Sequence, residues 1–236
     1  MINIRRAADR WHADRGWLKS HFSFSFADYT DPAHMGFRAL RILNEDTIAP
    51  GKGFGPHAHR DMEILTYVME GHLLHRDSMG EKHVLGPNEI QMMSAGTGVV
   101  HSEFNASETE PVHVFQIWIL PAAEDFEPSY QQIGFTPEAK HGNFLLLAAP
   151  EHSGSRPLTT IKQDTRVSAG AFDKGQSTQY SLGSGRHAWV QVVKGNVSLN
   201  GSSLQQGDAA AVSEEQKLVI EGMEAPGGEV LLFDLK

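Results

Sequence analysis

From residue 37 onward, apolar and polar positions alternate in short runs, each closed by Gly, Pro, Asn or Asp, while runs with the 3.6-residue repeat of a helix are scarce. A two-residue repeat marks a half-buried strand, because successive side chains of an extended chain leave on opposite faces. The pattern predicts strands over 37–43, 62–69, 71–77, 89–93, 112–120, 143–148, 167–172, 189–193, 196–199, 209–212, 217–220 and 230–234. Turn signals adjoin several of them: Glu70-Gly71, Met79-Gly80, Lys194-Gly195-Asn196, Asn200-Gly201 and Gln206-Gly207-Asp208. Residues 131–140 read as a helix or a loop. The expected class is all-β.

The stretch Thr66-Tyr-Val-Met-Glu-Gly71-His-Leu aligns with Val190-Gln-Val-Val-Lys-Gly195-Asn-Val, and a Gly-Pro-Asn or Gly-Asp step follows each. Such a repeat points to two related β-modules in tandem. The intervening 121–157 is rich in Pro, Glu, Gly, Ser and His, so the boundary is placed near residue 135, giving domains 1–135 and 136–236.

Composition adds exclusions. The 23 glycines and 11 prolines suit a turn-rich fold. With no cysteine, disulfides, thiolate metal sites and cysteine nucleophiles are ruled out, so any metal must sit on nitrogen and oxygen ligands. No apolar run approaches the length of a membrane span, and the first ten residues carry no apolar core of a signal peptide. A soluble, cytoplasmic protein that does not bind membrane is expected. The net charge of -9 opposes adhesion to nucleic acid. Arg5, Arg6, Arg10 and Arg15 are interrupted by Asp9 and Asp14 and read as a solvated surface.

The candidate chemistry lies in two stretches. In Gly51-Lys-Gly-Phe-Gly-Pro-His57-Ala-His59, an extended chain puts both imidazoles on one face with Cα atoms about 6.6 Å apart, close enough to share an ion. In Gly96-Thr-Gly98-Val-Val-His101-Ser-Glu103, the same spacing places His101 and Glu103 together. If the two strands meet, three neutral imidazoles and a carboxylate converge, a set suited to divalent iron, manganese, nickel, copper or zinc. Fewer than six protein ligands leave positions for water, O2 or substrate. Glu63 competes for the carboxylate place, because strict alternation puts it on the side of His59.

Both metal motifs, with Gly16-Trp-Leu, Phe22-Ser-Phe-Ser-Phe-Ala, Asp61-Met-Glu-Ile-Leu-Thr-Tyr, Met93-Ser-Ala-Gly-Thr-Gly, Phe115-Gln-Ile-Trp-Ile and Trp189-Val-Gln-Val-Val-Lys-Gly-Asn-Val, resemble the pirin family of the cupin superfamily over nearly the whole chain. The likeness is to bacterial pirin-like proteins with quercetin 2,3-dioxygenase activity. It implies a bicupin of two tandem jelly-roll β-barrels, with the metal in the N-terminal one on His57, His59, His101 and Glu103. The wider cupin pattern would use Glu63 instead; Glu103 is taken as the ligand, and Glu63 as its support or occasional substitute. Registering Gly195 on Gly71 puts Ser181 and Gly183 where His57 and His59 would fall, so the second module is expected to be degenerate, without metal ligands and with a structural or regulatory role.

The implied activity is a metal-dependent dioxygenase, with Fe(II) as the first choice of ion and Zn, Ni, Mn or Cu as others, which opens the heterocycle of a polyphenol such as quercetin with O2, releasing a depside and carbon monoxide. Glu103 is the candidate base, although a ligand that carries protons must partly leave the metal. The rival readings are a metal- or redox-sensing pirin that regulates a protein partner, and another small-molecule enzyme on the same scaffold. The chain is read as a monomer.

Bland readings stand beside these. His113 reads as a half-buried strand residue, and His72, His75, His83, His141 and His152 as surface positions. Trp11, Trp17, Phe22, Phe24 and Phe26 read as core before they read as a substrate wall. Gly51-Lys-Gly-Phe-Gly lacks the ending of a phosphate loop and reads as a turn.

Overall fold

The computed structural model describes residues 1–154 and 156–236. Among these residues the regular structure is strands with two short 3-10 turns, so the chain is all-β. In chain order the strands are β1 (Ile2–Arg5), β2 (Trp11–Asp14), β3 (Leu18–Phe22), β4 (Leu40–Ile48), β5 (Gly53–His59), β6 (Glu63–Glu70) and β7 (Leu73–Asp77). They continue with β8 (Lys82–Leu85), β9 (Glu89–Ser94), β10 (Val99–Asn105), β11 (Val112–Ile119), β12 (Ser129–Gly134), β13 (Phe144–Ala149) and β14 (Thr159–Thr160). The last are β15 (Thr165–Phe172), β16 (Ser177–Ser181), β17 (His187–Leu199), β18 (Ser202–Gln205), β19 (Ala209–Val212), β20 (Lys217–Gly222) and β21 (Gly228–Leu235). No helix among the described residues is long and apolar enough to cross a membrane.

The chain divides into two compact units, one of Trp11–Phe135 with Leu158–Gln163, the other of Met1–Arg10, Thr136–Pro157 and Asp164–Lys236. The first holds two antiparallel sheets, one in the order β12-β9-β6-β11-β4-β3-β2 and one in the order β5-β10-β7-β8. They face each other: Leu18, Ile48, Val68, Val112 and Val114 of the larger sheet pack on Leu73 and Leu85 of the smaller. Each of these side chains stabilises the unit by roughly 1.5–3 kcal/mol on burial. Neither hydrogen-bond ladder closes on itself, so the interior lies between two open sheets and not inside the closed barrel expected from the sequence. The edge strand β5 explains part of this, since Pro56 has no N–H to give a further strand, and the opposite edge β8 presents Lys82 and His83 outward.

In the second unit, β1, β19, β17, β21, β15 and β13 run side by side, with β18 and β20 continuing from β17 and β16 beside β20. Its core is mainly aliphatic, built around Val190, Val192, Val197, Leu199, Leu204, Leu218, Ile220 and Leu232, with Phe172 among them.

Four local expectations need correction. The strands predicted over 189–193 and 196–199 are one strand, β17. Gly195 is no hairpin turn: it pairs with Gly228 within the strand at φ 65°, and a Cβ there would lie 2.0 Å from the Gly227 carbonyl oxygen. Residues 131–140 form the end of β12, paired with β9, and a 3-10 turn over Pro137–Lys140. The first 22 residues contain three strands that the alternation does not reveal. Arg5 and Arg10 are buried, not solvated, because β1 pairs with β19 and Asp208 accepts from Arg6 Nη1 and from the Ala7 amide.

Candidate functional site

β5 and β10 pair antiparallel with His101 opposite His57 and Val99 opposite His59, so the two sequence motifs are brought onto one ladder. The register shifts between His101 and Glu103, which places one extra residue on β5 around Gly55 and Pro56. That bulge resets the alternation, and Phe54 lines the same pocket as His57 and His59. β5 also needs Gly53, where a Cβ would sit 2.2 Å from the Glu103 carbonyl oxygen.

The three imidazoles form a compact triangle, with ring centroids 4.8 Å apart for His57 and His59, 4.4 Å for His57 and His101, and 4.8 Å for His59 and His101. Their nearest ring nitrogens lie within 4.8 Å of one another. His57 Nδ1 is 2.8 Å from the Gly55 carbonyl oxygen, an acceptor, so Nδ1 carries the hydrogen and Nε2 offers a lone pair. Burial pushes His59 down to about 4 and His101 down to about 3, with the neighbouring imidazoles acting in the same direction. Both rings are therefore neutral at pH 7. His101 is buried and neither of its ring nitrogens has a hydrogen-bond partner. A buried ring with two idle nitrogens is costly unless something else binds it, and neutral nitrogens converging on one point are the donor set of a divalent cation.

Glu103 is 4% exposed, and both its oxygens accept from Gln116 Nε2, at 2.8 and 2.9 Å. Gln116 is held in turn: Thr66 Oγ1 lies 3.4 Å from its Oε1, and Gln91 Nε2 lies 3.4 Å from Thr66 Oγ1. Glu63 stands elsewhere. It accepts from Ser94 Oγ and from the Lys162 amide, burial raises its pKa, and it does not line the pocket. Strict alternation from His59 fails because Asp61 adopts φ 48° in the turn between β5 and β6.

The cavity of about 160 Å³ beside the imidazoles is walled by Phe26, Phe54 and Trp118 and by Asn44, Asp46 and Gln116. At about 30 Å³ per water, that is room for an ion and several waters or for the reacting part of a ligand. Asp46 is 4% exposed; burial pushes its carboxyl up to about 7 against a hydrogen bond from Ser20, and Oδ1 has no partner.

Of the aromatic residues read as core, Phe22 and Phe24 are buried, whereas Phe26 faces the cavity and Trp11 is 49% exposed and stacks on Tyr29. His113 is half-buried and bonds Glu45. His75, expected at the surface, is wholly buried: Nε2 is 2.9 Å from Asp77 Oδ2, and the ring lies 5.4 Å from that of His101. Gln116, Asn44 and Asp46 were not singled out by their motifs. Their signal is a polar residue within an otherwise apolar strand, which needs a buried partner. For His75 and Asp77 the signal is their shared parity with Leu73.

Family models named Pirin and Quercetinase C-terminal cupin domain match residues 3–119 and 146–235. The chain is 46% identical over 235 residues to quercetin 2,3-dioxygenase of Escherichia coli strain K12, covering 100% of this chain and 99% of that one. The crystal structure of YhhW from Escherichia coli superposes with a TM-score of 0.93 at 44% identity, covering 100% of this chain and 98% of that chain. The structure of bacterial pirin YhhW in complex with nickel(II), also from Escherichia coli, gives a TM-score of 0.91 at 44% identity, with 100% and 99% covered.

Proposed function

Since this chain belongs to the pirin family and carries two cupin domains, we propose that it is a metal-dependent dioxygenase that opens the heterocycle of a flavonol such as quercetin with O2. The observation that carries the reading is the triangle of neutral imidazoles beside Glu103, at the floor of a cavity walled by Phe26, Phe54 and Trp118. His57, His59, His101 and Glu103 would hold a divalent ion, with Fe(II) as our first assignment. The ion would supply Lewis acidity toward an enolic oxygen and a partner for O2 chemistry.

The side chains supply the rest. Phe26, Phe54 and Trp118 present ring faces and edges to a flat polyphenol and exclude water from it. Gln116 donates to both oxygens of Glu103, which keeps that carboxylate aimed. A flavonol hydroxyl must lose its proton for the ring to become electron-rich. Glu103 is the base if it loosens its hold on the ion; Asp46, in the same wall and titrating near neutrality, can take the proton without doing so.

The test is elemental analysis of the purified protein, followed by oxygen consumption on quercetin after reconstitution with ferrous iron and with other divalent ions. Stoichiometric metal with metal-dependent uptake supports the dioxygenase. Stoichiometric metal without uptake moves the reading to the non-catalytic, partner-regulating role, and failure to retain any metal removes the site.

A further inference from the structure

His101 poses a proton problem that its own strand does not solve. When one ring nitrogen binds an ion, the other must carry the hydrogen, and a buried N–H without an acceptor costs about 1–3 kcal/mol. Glu103 is occupied by Gln116 and, in the reading above, by the ion; His57 Nδ1 is engaged with Gly55. The neighbour left over is His75. Its ring centroid is 5.4 Å from that of His101, and its ligand atom lies within 4.8 Å of those of His101 and Glu103. On the paired strands β7 and β10, His75 stands opposite Glu103 and Asp77 opposite His101.

The hydrogen on His75 has an assignable place. Asp77 Oδ1 accepts from the amides of Met79 and Glu81, in the turn that leads to β8, which leaves Oδ2 pointing at His75 Nε2, 2.9 Å away. Both side chains are 0% exposed. A carboxylate only accepts, so the Nε2 that faces it donates, and a ring with a single hydrogen then keeps its lone pair on Nδ1. Nδ1 is buried and has no partner. A free lone pair therefore lies beside a ring that needs an acceptor.

We infer that Asp77 and His75 are positioning residues for His101: Asp77 sets the tautomer of His75, and His75 Nδ1 accepts the N–H of His101, turning that ring's other nitrogen toward the ion. Carboxylate-backed orientation of a metal-binding imidazole is a general device; here it runs through a second imidazole. The inference rests on the metal reading of the preceding section.

The experiment is a cobalt(II) titration of the metal-free full-length protein, followed by visible absorption against a competing chelator. In Asp77→Asn, the turn amides still hold the remaining oxygen, so the new NH2 group faces His75 Nε2. The hydrogen of His75 is then driven to Nδ1, where it meets the N–H of His101. Cobalt affinity is expected to fall by roughly 10–100-fold in Asp77→Asn and in His75→Leu. His75→Gln, which keeps an acceptor, should stay within about threefold of the wild type. Nitrogen-15 spectra of the metal-free protein should show the His75 hydrogen on Nε2 in the wild type and on Nδ1 in Asp77→Asn. A packing role alone would lower the melting temperature and leave the affinity and the tautomer unmoved.

Wild-type affinity in Asp77→Asn overturns the inference and leaves the metal reading standing. A wild type that takes up no cobalt, nickel or zinc overturns the metal reading and the inference together. Should His75→Leu fail to fold, Asp77→Asn and His75→Gln decide the matter.

Discussion

In the register that sets Gly195 on Gly71, Leu73 corresponds to Val197, His75 to Leu199 and Thr66 to Val190, and all six side chains are fully buried. In one unit two of these positions, His75 and Thr66, carry imidazole and hydroxyl groups tied into a polar interior; in the other all three belong to an apolar core. Burial alone therefore does not separate a site from a scaffold. Nor do unpartnered buried atoms, since Thr165 Oγ1 and Gln191 Oε1 of the second unit are as idle as the ring nitrogens of His101 and one oxygen of Asp46; what separates them is that in the first unit imidazoles and a carboxylate gather beside a cavity. Leu199 asks for nothing but contact. The first unit sets its unpaired groups around a cavity where a ligand can reach them.

The strongest way to break this contrast is His101→Ala, for which bound metal by elemental analysis and oxygen uptake on quercetin are both expected to fall below about 1% of the wild type. Stoichiometric metal in that variant would show that the imidazole triangle is not what sets the units apart. In the aliphatic unit, Leu199→Ala should cost about 3 kcal/mol, lowering the thermal midpoint by roughly 6–12 °C, with metal content unchanged.

Asp46→Asn sharpens the comparison through pH. Its carboxyl titrates near 7 in the folded chain against an ordinary 3.8, so the unfolded chain releases that proton first as pH rises. Folding stability then drops between about pH 4 and 7 and stays lower above that window. In the metal-free protein at pH 8, Asp46→Asn is expected to be more stable by about 2 kcal/mol, or roughly 4–8 °C in calorimetry. At pH 4 the two should melt together. The smallest effect belongs to Glu63→Gln, with metal content and oxygen uptake unaltered and stability within about 1 kcal/mol. Glu103→Gln should lose metal, and parallel behaviour of the two variants would return Glu63 to the ligand set.

The H-x-H and H-x-E motifs were legible because the extended chain has a two-residue period and both segments are strands. Their meeting was legible only as a condition, since the pairing of His101 with His57 joins segments far apart in the sequence. Two local irregularities defeated parity. The bulge at Gly55 and Pro56 brings Phe54 into the pocket, and the left-handed Asp61 takes Glu63 away from it. His75 escaped notice because exposure depends on which sheet lies across from a strand, and nothing in Leu73-Leu-His75-Arg-Asp77 names the opposite wall. The resemblance to pirins conveyed the two cupin domains but not that their sheets stay open. The orienting groups behind the ligands left only faint traces, a polar residue in an apolar strand for Gln116 and parity with Leu73 for His75 and Asp77.

The way the two units share the chain also bears on its birth at the ribosome. The unit with the imidazole triangle is complete once Gln163 has emerged, because Leu158–Gln163 is its last segment and supplies the Lys162 amide to Glu63. β1, which precedes that unit in the chain, must wait for β19, since Ile2 pairs with Val212. Such a long closure makes the second unit the slow step of assembly. The imidazole triangle can thus assemble while β1 is still without its partner strand.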